Sequence, residues 1–190
     1  MASNVEIANR ALQRLGAKRI TSLTDDSVNA RAVNSCFDVL RQAELRKHPW
    51  SFSIKRVQLA ASSTAPLFVK EKSYPLPSDC LRVLPNDPDY EYNNKDWQIE
   101  GRNIITDDAS PLNVRYVKDV TDPNQMDVLF REALSAKIAM ELCEELTQSN
   151  TKIQIAKAMY DDAINQAKKV NAIERVPITP FRDEWITVRD

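Results

Sequence analysis

Glycine is almost missing from this chain, with Gly16 and Gly101 the only two in 190 residues. Loops that cradle phosphates need several glycines so that the backbone can approach the anion, so a P-loop or dinucleotide fold is excluded. Histidine is scarcer still. His48 stands alone, beside Pro49-Trp50 and without a serine or cysteine nucleophile motif around it. It reads as a junction residue that caps or packs at a helix end. The cysteines Cys36, Cys80 and Cys143 are odd in number and widely spaced. They are expected as buried free thiols, in keeping with a reducing cytosol.

An excess of either charge is also lacking: 26 basic side chains face 27 acidic ones. A dedicated DNA binder rests on many phosphate contacts, so this balance argues against one while allowing a protein that surrounds DNA without gripping it. No stretch approaches the roughly 18 apolar residues of a membrane helix. The opening MASNVEIANRALQRLG has no basic region followed by an apolar one, and no secretory signal is expected.

What the chain does have is helical periodicity at its two ends. Ser3 and Glu6 have the spacing of a capping box, Val5, Ala8, Leu12 and Leu15 share one face, and Gly16 suits a left-handed stop, so a first helix is expected from about Asn4 to Leu15. A second follows Thr24-Asp25-Asp26-Ser27, presents Ala30, Val33, Phe37 and Leu40, and must end before His48-Pro49.

From Trp50 to Thr121 the period shifts toward two, as in Ser51 to Leu59, Trp97 to Glu100 and Leu112 to Val117. Prolines and the Glu100-Gly101-Arg102-Asn103 turn punctuate these runs. They read as short antiparallel strands, with Trp50 and Phe52 anchoring them to the helices and Trp97 filling their core.

Asp122-Pro123 has the form of an N-cap with proline at the first helical position. The apolar surface from Met126 to Leu146 is broad enough for the third helix to lie at the bundle centre, and a fourth runs through Ile153, Met159 and Ala167 after a break at Gln148-Ser149-Asn150. The expected fold is mainly α. Residues 1–48 and 122–172 form an antiparallel helical bundle, 49–121 a small inserted antiparallel β domain, and 173–190 an extended C-terminal tail.

Carboxylate pairs at Asp25-Asp26, Asp107-Asp108, Glu144-Glu145 and Asp161-Asp162 are adjacent in sequence, point in different directions, and read as caps, turns or solvated faces. No catalytic, cofactor-binding or metal site is expected. Partner-binding candidates lie in two places. Arg41, Arg46 and Lys47, with Lys55 and Arg56, cluster around HPWSF and suit phosphates or an acidic rim. In the tail, Pro177 and Pro180 forbid a continuous helix while Phe181 and Trp185 offer large apolar groups, so this segment docks on a partner or packs back.

The series ALQRLGAKRITSLTDDS, LRKHPWSFSIKRVQLA, SYPLPSDCLRVL, WQIEGRNIITD, PLNVRYVKDVTDP and ELTQSNTK resembles the phage tail tubular protein A and head-to-tail connector adaptor family. The likeness extends over about Ala8 to Ala172 and rests on order and spacing: LG before Ile-x-x-Leu, HPW after the second helix, LP-x-DCLRVL, and EGR ahead of VRY. It implies a virion protein assembled in the host cytoplasm as a homo-oligomeric ring, commonly dodecameric. Its partners would be the portal protein and the tail nozzle or tail tube, with double-stranded DNA passing through unbound. The family offers no catalytic residue to transfer. Alternatives are another head-completion or tail-terminator ring protein and, less favoured, a cell-wall hydrolase.

Overall fold

A computed structural model describes residues 2–84 and 97–174. Helix α1, Asn4–Leu15, starts at Ser3, whose hydroxyl accepts from Glu6 N–H while the Glu6 carboxylate accepts from Ser3 N–H. It stops at Gly16, φ 71°, where Ala17 N–H reaches back to Leu12 O. Helix α2, Val28–Lys47, is capped by the Ser27 hydroxyl and ends at His48, whose extended backbone leads into Pro49.

The third helix begins later than its sequence suggests. Asp122-Pro123 opens only a 3-10 turn, Pro123–Gln125, after which Asp127 provides a fresh cap for α3, Val128–Thr147, by accepting from Leu129 and Phe130 N–H. Gln148 (φ 49°) ends it, and Ser149 caps α4, Asn150–Ile173. Helix α3 packs against α1, α2 and α4 and occupies the middle of the helical layer.

Among the described residues between α2 and α3 run six strands: β1 Ile54–Leu59, β2 Lys72–Pro75, β3 Cys80–Leu84, β4 Gln98–Glu100, β5 Asn103–Thr106 and β6 Leu112–Lys118. They form two three-stranded antiparallel sheets, ordered β1-β6-β3 and β2-β5-β4. Gly101, φ 57°, sits in the two-residue turn that joins β4 to β5.

The expectation of a mainly helical bundle with a small β insertion is therefore corrected. Among the described residues four helices combine with two sheets, 51% helix and 18% strand, in an α/β fold. The reason lies in the packing. Leu84, Val117 and Val120 belong to the same core as Leu12, Leu45, Phe130 and Leu134, with Ile54 and Leu81 packed against it. The opposite face of the same sheet supplies Leu59 and Val114 to a second core with Tyr74 and Ile104 of the outer sheet. The β1-β6-β3 sheet is thus a middle layer shared by two cores.

Candidate functional site

The HPW segment lies where α2, α4 and the middle sheet meet. Trp50 is fully buried, its indole N–H donates to Glu44 O at 3.1 Å, and its ring meets His48 and Phe130 edge-on at 4.6 and 5.1 Å. Phe52 also meets Phe130 at 5.1 Å, so both aromatics tie the start of β1 to α3. Asn171 of α4 clamps the segment from the other side. Its Oδ1 accepts from Ser51 N–H and O–H, both at 2.8 Å, and its Nδ2 donates to His48 Nε2 at 2.9 Å. The imidazole is held as part of a structural joint.

Glu44 is 1% exposed. Burial of a carboxylate demands partners, and two are supplied, Lys47 Nζ at 2.6 Å and the Tyr160 hydroxyl, donating at 3.0 Å, while the backbone carbonyl of the same residue accepts from Trp50. Burial, then the charge of Glu44, pushes the Tyr160 phenol above its ordinary range. The Lys47 and Lys137 ammonium groups both lie over the Tyr160 ring, at 5.9 and 5.6 Å.

The basic residues singled out in the sequence divide by role. Arg41 is 3% exposed and turned inward, ion-paired with Asp38 and Asp119 and donating to Val120 O at 3.0 Å. It braces α2 against the chain just after β6, a correction to its reading as a surface contact. Arg46 is exposed but donates to Leu81 O, while Arg82 donates to the α2 terminal carbonyls of Arg46 and Lys47 at 3.2 and 3.5 Å. This exchange satisfies carbonyls that a helix end leaves open. Lys55 bonds Asp79 at 3.2 Å, and Asp79 accepts from the Tyr116 hydroxyl at 2.8 Å. Pro177, Pro180, Phe181 and Trp185 lie outside the described residues.

Carboxylates from the paired positions hold turns. Asp25 accepts from Thr21 and Ser22 N–H at 2.7 and 3.0 Å, which keeps it below the usual carboxylate range. Asp107 accepts from Glu71 N–H at 2.9 Å and pairs with Lys70 at 3.0 Å. Among the described residues no group of three or more His, Cys, Asp or Glu side chains is placed to hold a metal ion. No helix among them is long and apolar enough to cross a membrane. The three thiols are free, and burial, assisted by Glu141, pushes Cys36 up to about 11.

A cavity of about 760 Å³ opens between the two sheets and is lined by Val57, Val83, Trp97, Ile104, Leu112 and Val114 among others. Its neighbours Leu84 and Trp97 bracket residues 85–96.

Sequence reasoning missed the most exposed apolar run among the described residues. Leu67, Phe68 and Val69, at the tip of the β1–β2 loop, are 96%, 78% and 80% exposed. Smaller exposed groups, Ile155, Met159, Val170 and Ile173, dot α4. The tip is legible only as a three-residue apolar run between Pro66 and Lys70, too short for any period to show which way it faces. No protein-family model matches the chain, and no curated protein matches it.

Proposed function

We propose that this chain is a structural subunit of a phage virion, an adaptor that forms a ring between portal and tail and surrounds the DNA passage. The motif resemblance leads to this reading. The observation that carries it is the joint around Trp50. Here HPW, one of the motifs that carry the resemblance, is used to lock α2, α4 and the middle sheet together, with His48 held by Asn171 and the buried Glu44 held by Tyr160 and Lys47. A ring subunit that transmits load between two assemblies needs such a stiff connection between its layers.

Near-neutral net charge supports the conduit role, because a strongly basic lumen would hold the polyanion through counterion release where it has to slide. The ring is taken to be a dodecamer that contacts the portal on one face and a nozzle or tube protein on the other, and the C-terminal segment with Phe181 and Trp185 is the proposed docking arm. The test is to mix purified chain with portal-containing heads that lack tails and to image the portal vertex. A ring of added density beneath the portal is expected. Heads that stay bare at saturating protein overturn the reading.

A further inference from the structure

The β1–β2 loop is built to hold its apolar tip out in water. Val69 has φ 72°, and Lys70 N–H donates to Phe68 O at 2.9 Å, a positive-φ γ-turn about a β-branched residue. That conformation is strained and persists only where its surroundings over-determine it. They do. Lys70 Nζ and Glu71 N–H are both fixed by Asp107, and Ser62 N–H donates to Ser73 O at 2.7 Å. Leu67, Phe68 and Val69 therefore form a pre-shaped apolar knob, and pre-shaping lowers the ordering cost of binding.

The helical layer carries a matching hollow. Leu15 of α1, Ala136 and Ala139 of α3, and Ile155, Ala156 and Met159 of α4 line a groove of about 200 Å³. Its floor is open because three of these residues are alanines, and its walls, Ile155 and Met159, are half-exposed. The volume falls below the roughly 300–1,000 Å³ of small-molecule sites and suits one large side chain. Around the knob Glu71, Glu100, Asp107 and Asp108 outnumber Lys70 and Lys72, whereas beside the groove Lys152, donating to Leu15 O, and the Arg10 and Arg14 pair that shares Glu132 leave the rim net positive.

We propose that the Leu67-Phe68-Val69 knob of one copy seats in the α1/α3/α4 groove of a second copy of this chain. The two halves lie on different layers, so the contact is heterologous, and it propagates into a ring if the rotation closes. Three side chains are far less than the roughly 800 Å² per partner of a stable interface. A single contact is weak, and many copies in register make it strong. The inference stands on the knob and groove and needs no portal.

Sedimentation velocity over a concentration series tests it, with three samples besides wild type: Phe68→Asp, Ile155→Glu, and an equal mixture of the two. Both substituted positions are exposed, so thermal midpoints should match wild type. Self-association of wild type is expected to weaken at least tenfold in either variant, while the mixture recovers a heterodimer that grows no further, because one intact knob meets one intact groove. Wild type that stays monomeric at roughly 1 mM, or variants that associate as wild type does, overturns the proposal. So does a mixture with no heterodimer. Vesicles of phosphatidylcholine with phosphatidylserine form a second arm, and Phe68-dependent binding to them without self-association assigns the knob to a lipid surface instead. Attachment to tail-less heads, measured in parallel, separates this result from the adaptor reading, since either can fail alone.

Discussion

The Tyr160 hydroxyl donates to the buried Glu44 carboxylate at 3.0 Å, joining the middle of α4 to the last turns of α2. Removing one partner of a buried bond leaves the other without compensation. Tyr160→Phe is expected to lower stability by about 1–2 kcal/mol in urea denaturation at neutral pH, with an unchanged m-value. A variant as stable as wild type would show that water replaces the phenol at no cost.

On the α1–α3 interface, Glu132 takes both Arg10, at 2.9 Å, and Arg14. Hydrogen bonding from Arg10, then the neighbouring positive charges against the opposing effect of burial, holds its carboxyl below the ordinary 4.5. A lowered folded value means stability that is present above pH 4.5 and lost as pH falls through the folded pKa. Glu132→Gln should therefore cost about 0.5 kcal/mol at neutral pH, a modest figure because the pair is partly solvated. The gap to wild type should close on acidification, which parallel urea melts from pH 7 to pH 3 will register.

Cys36 behaves in the opposite sense. Burial raises its thiol from 9.0 to about 11, so the folded state resists forming the thiolate that the unfolded chain forms readily. Its contribution is complete below pH 9.0 and is lost as pH rises toward about 11. Replacing it in Cys36→Ala should flatten the fall of stability across that window. Alkylation of native protein at pH 8 should label Cys36 far more slowly than unfolded protein, as intact-mass kinetics will show.

Asn171→Ala should cost more than His48→Ala. Losing the amide strands Ser51 N–H and O–H together with the imidazole, a penalty of about 2 kcal/mol, whereas losing the imidazole removes one bond and an edge-on ring contact, about 1 kcal/mol. Neither substitution should abolish a chemical activity or, at temperatures where the variant is folded, attachment to portal-containing heads. Calorimetric midpoints and head-binding assays read the two effects separately.

Deleting Pro177 to Asp190 is expected to leave the melting temperature near that of the full chain while preventing attachment to portal-containing heads. Phe181 and Trp185 are large apolar groups in a polar stretch, and their burial against a partner is worth roughly 2 kcal/mol each. A truncated chain that unfolds, or that attaches normally, removes the docking-arm role.

What the sequence made legible was local. Ser3 with Glu6, Gly16, Ser27 and the Gln148-Ser149 break each announce a helix end through their own side chain or backbone freedom, and each lies where expected. The start of α3 was placed too early because Asp122-Pro123 has the form of a cap and does cap a 3-10 turn, while the helix itself starts from Asp127, five residues on. Arg41 reads as surface charge until Asp119, far along the chain, is seen to receive it. The middle sheet was illegible for a similar reason. The alternation in β6 shows that two faces differ, but not that both are covered, one by helices and the other by a second sheet.

That sheet also dictates an order of events during synthesis. Strand β6 is its central member, paired to β1 on one side and β3 on the other, yet it is the last of the three to leave the ribosome. Until Leu112–Lys118 emerges, β1 and β3 have unsatisfied edges and no common partner, whereas the outer sheet β2-β5-β4 already has all three of its strands. A nascent chain stalled before residue 112 would thus expose two bare strand edges, the state most open to wrong pairing and most in need of a chaperone. Seven further residues supply both ladders at once.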